Sequence, residues 1–294
     1  MGWARRTAFG LVAGAAAVGI FACRPSGDDS LTATAEPRPE STVNNGRRPG
    51  QAFIVRPVDG YDPKTQWAAD YTMYADWLST GYDPRNVRFF GGRIILNIEK
   101  RRIERQPYSG AEFQRAGFYG YGRYEVVMRP SNRTGVISSF FTHTDDYHGD
   151  PHDEIDFEFL GKNKREVQLN YFSGGVAGGP FNIELPFEAS RADHLYAFDW
   201  SPGALRWYID GHLVNEVLAP AARVPLPRST QRVIVNIWTA AGDAAKHWAG
   251  VPKFTAANAS YACMSHVPLG KTGAQCSDRF KPPKLSKPFK VRRG

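Results

Sequence analysis

The sequence predicts an all-β fold of the sandwich kind, and three observations carry that expectation. Aromatic residues make up 13% of the 294 residues, and 29 glycines and 21 prolines are spread along the chain. Aromatic rings suit pleated surfaces, while glycine and proline punctuate turns. Short segments of strand character recur between turn signals, with no long amphipathic helix and no internal repeat. The length suits one large domain with one sizeable core.

In chain order the strand segments are 93–98, 123–128, 136–142, 154–159, 166–172, 195–200 and 232–238. Residues 205–209, the dipeptide Asp210-Gly211 and residues 212–214 form a hairpin signal, because Asp-Gly supplies the positive backbone angles of a tight primed turn. Trp200 and Trp207 are assigned to core packing.

The two ends are of different character. Arg5 and Arg6 precede an apolar stretch, 8–22, shorter than the about 20 apolar residues that span a bilayer, so residues 1–23 read as an export signal. The run Ile20-Phe21-Ala22-Cys23 resembles the lipobox of bacterial lipoproteins, which implies lipidation at Cys23; ordinary cleavage or an uncleaved anchor is the alternative. The expected location is periplasmic or on the cell surface, with secretion as the other outcome. Residues 24–50 are rich in proline and small polar residues and read as a flexible linker. A folded domain is expected over 51–280 and a basic flexible tail over 281–294.

The net charge of +8 belongs to these ends: two arginines before Cys23 and six lysines and arginines after Phe280 account for all of it. No nucleic-acid partner is expected from such a distribution. The tail reads as a solvated end, with binding to an acidic polymer or an anionic membrane as the alternative. Lipidation of Cys23 leaves Cys263 and Cys276 as an even pair, expected to form a disulfide in an oxidising compartment.

The chemistry is concentrated in the run His152-Asp153-Glu154-Ile155-Asp156-Phe157-Glu158-Phe159. In an extended strand side chains alternate faces, so Glu154, Asp156 and Glu158 share one face while the apolar residues share the other. The outer two α-carbons lie roughly 13 Å apart at about 3.3 Å per residue. Glutamates leaning inward on a concave strand approach the roughly 5 to 5.5 Å carboxyl spacing of a retaining glycosidase. Crowding three acids costs stability, and it serves a reaction that needs an ionised carboxylate and a protonated acid at the same pH. A solvated acidic strand face or a hard-cation site, with Asp145, Asp146, His148, Asp150, His152 and Asp153 just upstream, is the alternative reading of these residues.

From about 117 to 248 the sequence resembles glycoside hydrolase family 16, in particular the bacterial lichenases and related endo-glycanases that trim exopolysaccharides. The resemblance rests on Glu154-Ile155-Asp156-Phe157-Glu158-Phe159-Leu160-Gly161-Lys162, and on the flanking runs that begin at Tyr119, Ser138, Val167 and His194. It implies a β-jelly-roll sandwich of the concanavalin A-like kind with a sugar cleft across its concave sheet. It also implies Glu154 as nucleophile, Glu158 as general acid/base and Asp156 as their assistant, in a reaction that retains anomeric configuration. Substrate-lining residues expected from it are Glu112, Phe140, His152, Asn170, Tyr171, Trp238 and Trp248, where flat rings suit sugar stacking and amides suit hydroxyls.

Two departures bear on substrate. His152 stands where lichenases commonly carry tryptophan, which weakens the inference to mixed-linkage glucan. The residue that many laminarinases insert before the last glutamate is absent, which argues against strict β-1,3 specificity. The expected activity is therefore endo-hydrolysis of β-1,4 or mixed β-1,3/1,4 bonds in a glucan or bacterial exopolysaccharide. Transglycosylation with the same carboxylates, or a noncatalytic glycan-binding jelly roll, are the rival readings. No cofactor is expected, although the resemblance allows a structural calcium ion, for which no acidic ligand set stands out. His143 and His148 read as exposed loop residues and, with His152, show no zinc spacing, so no metal ligand is assigned. Gly120-Tyr121-Gly122 lacks the further glycine and helix of a phosphate-binding turn. A monomer acting on a polysaccharide is the expected assembly.

Overall fold

The computed structural model describes residues 47–285 and 287–292, Arg292 by its backbone alone. The export signal and Cys23 lie outside the described residues. Among those described, no helix is long and apolar enough to cross a membrane.

Two antiparallel sheets make the domain. One runs, edge to edge, through Gln66–Ala68, Tyr108–Tyr119, Gln231–Thr239, Val136–Thr144, Asp153–Leu160, Glu166–Ser173, Phe181–Glu184 and Lys290–Arg292. The other runs through Val87–Phe90, Arg93–Glu99, Ala256–Pro268, Gly122–Arg129, His194–Trp200, Ala204–Ile209 and His212–Leu218. Strands that neighbour in space are distant in sequence, as where Gln231–Thr239 lies between Tyr108–Tyr119 and Val136–Thr144. This is the jelly-roll arrangement. The seven strands expected from the sequence coincide with observed ones to within two residues.

The core lies between the sheets and is rich in rings. Phe140 and Phe157 from the first sheet meet Phe198 and Tyr196 from the second, with ring centroids 5.7 and 5.6 Å apart. Phe159 packs edge-on to Tyr196 at 4.8 Å. Trp200 and Trp207 are fully buried, as expected. Each such side chain taken out of water contributes about 1.5–3 kcal/mol. The hairpin forms as its sequence predicts, with Asp210 and Gly211 at φ 51° and 82°. The Asp210 carboxylate also accepts from the backbone N–H of Leu195 and bonds the ring of His194.

The first and last described residues make contacts that the sequence does not lead one to expect. Residues 290–292, assigned to a flexible tail, form an edge strand paired with Phe181–Glu184, and Phe289 packs against Phe187 and His212. Alternating apolar residues were too few there to signal a strand; the open edge of the sheet supplies the partner. Arg47, placed in the linker, donates to Asp150 at 2.7 Å and lies over the Phe118 ring. Gly50 donates its N–H to the Phe118 carbonyl. Cys263 and Cys276 are joined by a disulfide.

Candidate active site

The strand Asp153–Leu160 is buried on both faces. Ile155, Phe157 and Phe159 enter the core, so Glu154, Asp156 and Glu158 point to the opposite side of the sheet. Asp153 secures the strand's entrance, accepting from the N–H groups of Gly174, Arg228 and Ser229. Across the ladder, Glu154 faces His143 and Phe172, Asp156 faces Phe141 and Asn170, and Glu158 faces Ser139 and Gln168. The three carboxylates open into a recess they share with Met73, Trp77, Tyr82, Ser139, Phe141, Asn236 and Trp238.

Their electrostatic environments differ, although all three are at least 94% shielded from water. Burial, then the charge of Asp156 and of Glu154, pushes Glu158 well above the usual carboxylate range. Burial and the charge of Glu154 do the same to Asp156, against a hydrogen bond from the Asn170 backbone. Glu154 is also raised by burial, and it alone of the three has a hydrogen-bonded imidazole that works against the rise: His152 Nε2 lies 3.0 Å from its Oε2. Burial works to lower His152, but its bond to Glu154 and the surrounding carboxylates outweigh this and raise it. The arrangement therefore favours an anion at Glu154 and a proton on Glu158.

The structure divides the expected cleft residues. Trp238 lines the recess, edge-on to Trp77 at 5.7 Å. Trp248 packs behind it and donates its indole N–H to Gln168. Asn170 lies on the carboxylate face, but its Oδ1 is committed to the N–H groups of Tyr171 and Gly179. Glu112 is on the same face, buried, and accepts from Tyr71 and Gln114. His152 acts on Glu154, and its ring stacks on Phe172.

Two assignments fail. Phe140 pairs with Phe157 in the ladder and is fully buried in the core, and Tyr171 pairs with Ile155 and sends its hydroxyl to the Val224 carbonyl. A one-residue change of parity exchanges the faces of a strand, and in Ser138-Ser139-Phe140-Phe141 the composition does not reveal which phenylalanine faces the cleft. Phe141 does. His143 is also corrected: it sits within Val136–Thr144, 2% exposed. His148 is half-buried and bonded to Asp145. Met73 and Trp77 come from irregular segments and Tyr82 from the three-residue strand Thr80–Tyr82, all too short to show a periodicity that would mark them. Ser139 and Asn236 follow from ladder parity once the carboxylates are placed.

Among the described residues, one group has the donors to hold a metal ion: a side-chain ligand atom from each of His143, His152 and Glu154 lies within 4.8 Å of the others.

Residues 75–257 match the family model for glycosyl hydrolases family 16. The chain belongs to that family. Glycosyl hydrolases family 16 relatives include a "Beta-glucanase" of Paenibacillus macerans, 37% identical over 207 residues that cover 70% of this chain and 83% of the relative. The "Beta-glucanase" of Bacillus subtilis (strain 168) is 41% identical over 210 residues, 71% of this chain and 83% of the relative. Among solved structures, a prokaryotic beta-1,3-1,4-glucanase (lichenase) from a mouse hindgut metagenome superimposes with a TM-score of 0.70 at 32% identity, covering 75% of this chain and all of that one. This family 16 protein is thus a glycoside hydrolase, and its jelly roll is the one the sequence predicts.

Proposed function

We propose that this family 16 enzyme is an endo-acting, retaining β-glucanase that cleaves β-1,4 or mixed β-1,3/1,4 bonds in a glucan or bacterial exopolysaccharide. The observation that carries the reading is the asymmetry within one row of acids: Glu154 is bonded to a histidine and Glu158 is not. The beta-1,3-1,4-glucanase activity named for the mouse hindgut relative supports the linkage.

In the first step the Glu154 carboxylate attacks the anomeric carbon while Glu158 gives its proton to the departing glycosidic oxygen. In the second, Glu158 takes a proton from water, which attacks the same carbon and releases Glu154. Asp156, between them, holds a proton more tightly than a usual aspartate and limits the negative charge of the row as Glu154 changes state. Trp77, Phe141 and Trp238 offer ring surface to the sugar. No cofactor is needed for these steps.

The reading extends to location. The pattern of residues 1–23 supports export, Cys23 lipidation supports a periplasmic or surface anchor, and the Cys263–Cys276 disulfide suits an oxidising compartment. The enzyme acts as a monomer. Labelling with a radioactive fatty acid that persists in Cys23→Ser would remove the anchor from this account.

The test of the chemistry is Glu154→Gln, assayed by product chromatography on lichenan, laminarin, xyloglucan and a succinoglycan-like polymer. Hydrolysis is expected to fall at least about 10³-fold, as for loss of a nucleophile. Near-normal hydrolysis of any of these polymers removes the nucleophile role, and products longer than the starting acceptor would turn the reading to transglycosylation.

A further inference from the structure

The buried histidine beside the nucleophile has no part in the two displacement steps. His143 stands directly across the ladder from Glu154, is 2% exposed, and its Nε2 has no hydrogen-bond partner in the protein. Buried polar atoms are ordinarily satisfied, so an orphaned ring nitrogen next to two further donor groups is open to a shared ligand. The His152 ring is 5.2 Å from it, centroid to centroid.

We propose that His143, His152 and Glu154 form a regulatory site for a borderline divalent cation of the Zn²⁺ type, which masks the nucleophile. Two imidazoles and one carboxylate are a donor set that selects such a metal over the hard, oxygen-seeking Ca²⁺ and Mg²⁺, and three protein ligands leave a fourth position for water. Zinc bonds of about 2.0–2.2 Å place tetrahedral ligands about 3.3–3.5 Å apart. The His152 and Glu154 atoms are already 3.0 Å apart, and the 4.8 Å limit for the trio leaves at most about 1.5 Å to close. His152 precedes the strand that begins at Asp153, so it is the ligand outside the ladder, and closing the distance shifts its ring over the Phe172 face.

The surroundings favour a cation on balance. Asp145 adds negative charge near Glu154. Arg232, across the ladder from His143, is the nearby opposing charge; it donates to Gln114 and lies near the Trp67 and Phe118 rings. Inhibition rests on the reading of Glu154 as nucleophile, whereas binding does not.

The test uses the full chain after chelator treatment. Zn²⁺ is titrated calorimetrically, Co²⁺ is added to seek the visible bands of a tetrahedral ion, and hydrolysis of soluble β-glucan is followed against free Zn²⁺. One Zn²⁺ per chain, intense Co²⁺ bands and chelator-reversible inhibition are expected. In His143→Gln, half-inhibition relative to the variant's own zinc-free rate should need at least about 100-fold more Zn²⁺, beyond the 10–100-fold that loss of a mere supporting residue costs. Absence of tetrahedral Co²⁺ bands in the unsubstituted enzyme overturns the site whatever the variant does, as does equal zinc sensitivity in a folded His143→Gln. Stoichiometric binding at this trio with undiminished hydrolysis would uphold the metal site and overturn the nucleophile reading instead.

Discussion

Replacing His152 by phenylalanine separates the hydrogen bond that favours the Glu154 anion from the packing around it. The new ring keeps the stack on Phe172, now 4.8 Å between centroids, while the nitrogen 3.0 Å from Glu154 is lost. The pair is shielded, with side-chain exposures of 17% and 2%, so solvent screening does not much reduce its strength. A hydrogen bond to a charged group contributes about 1.5–3 kcal/mol, and 1.36 kcal/mol corresponds to one pH unit, so the substitution should raise the titration of Glu154 by about one to two pH units. The sign follows from the reaction: activity requires the Glu154 anion, which protonation removes as pH falls. The acid limb of kcat/KM therefore moves upward by that amount, and activity below the limb drops about 10–100-fold. The alkaline limb, set by loss of the Glu158 proton, should move far less. The assay is kcat/KM on a soluble β-glucan between about pH 4 and 9, with His152→Gln, which keeps a neutral donor, expected in between. An acid limb that stays within a few tenths of a pH unit in the phenylalanine variant would refute the claim that His152 conditions the nucleophile.

Three further outcomes are expected. Glu158→Gln should lower kcat on polymeric substrate by about 10²–10⁴-fold, the usual scale for a general acid, and substrates with a good leaving group should be hit much less in the first step; equal losses on both would sink the acid role. Phe140→Ala should cost about 3–5 kcal/mol of stability in urea unfolding with KM little changed, since Phe140 lies in the core between Phe157 and Phe198; a raised KM with normal stability would return it to the cleft. Changing Cys263 and Cys276 together to serine opens a crosslink that spans 13 positions and should cost about 2–4 kcal/mol, read from the shift in unfolding midpoint under oxidising conditions, with no shift counting against a stabilising bridge.

What was legible in the sequence follows a physical pattern. Strands with strict alternation or strong turn signals, such as Asp153–Leu160 and the Asp210-Gly211 hairpin, are determined by neighbours a few residues away. Lys290–Arg292 carries no such signal, because its pairing comes from a sheet edge more than 100 residues earlier. Within the site, the carboxylates stand out because three acids at alternate positions have no cheap structural purpose. Phe140 and Tyr171 are misplaced because local composition is silent on parity when both faces of a strand are buried, and His143 because the strand runs two residues past the expected end at 142.

The sequence by itself therefore determined the all-β class, nine of the strands and the row Glu154, Asp156 and Glu158, since these depend on period-two alternation and short-range turn chemistry. Only the tertiary structure decided which phenylalanine meets the sugar, that Trp77 and Tyr82 join the recess, and that His143 comes to rest beside His152 and Glu154. Those facts depend on which strands pair and in what register, and register is settled by burying one face of the whole sheet at once, a condition that no local stretch of sequence contains.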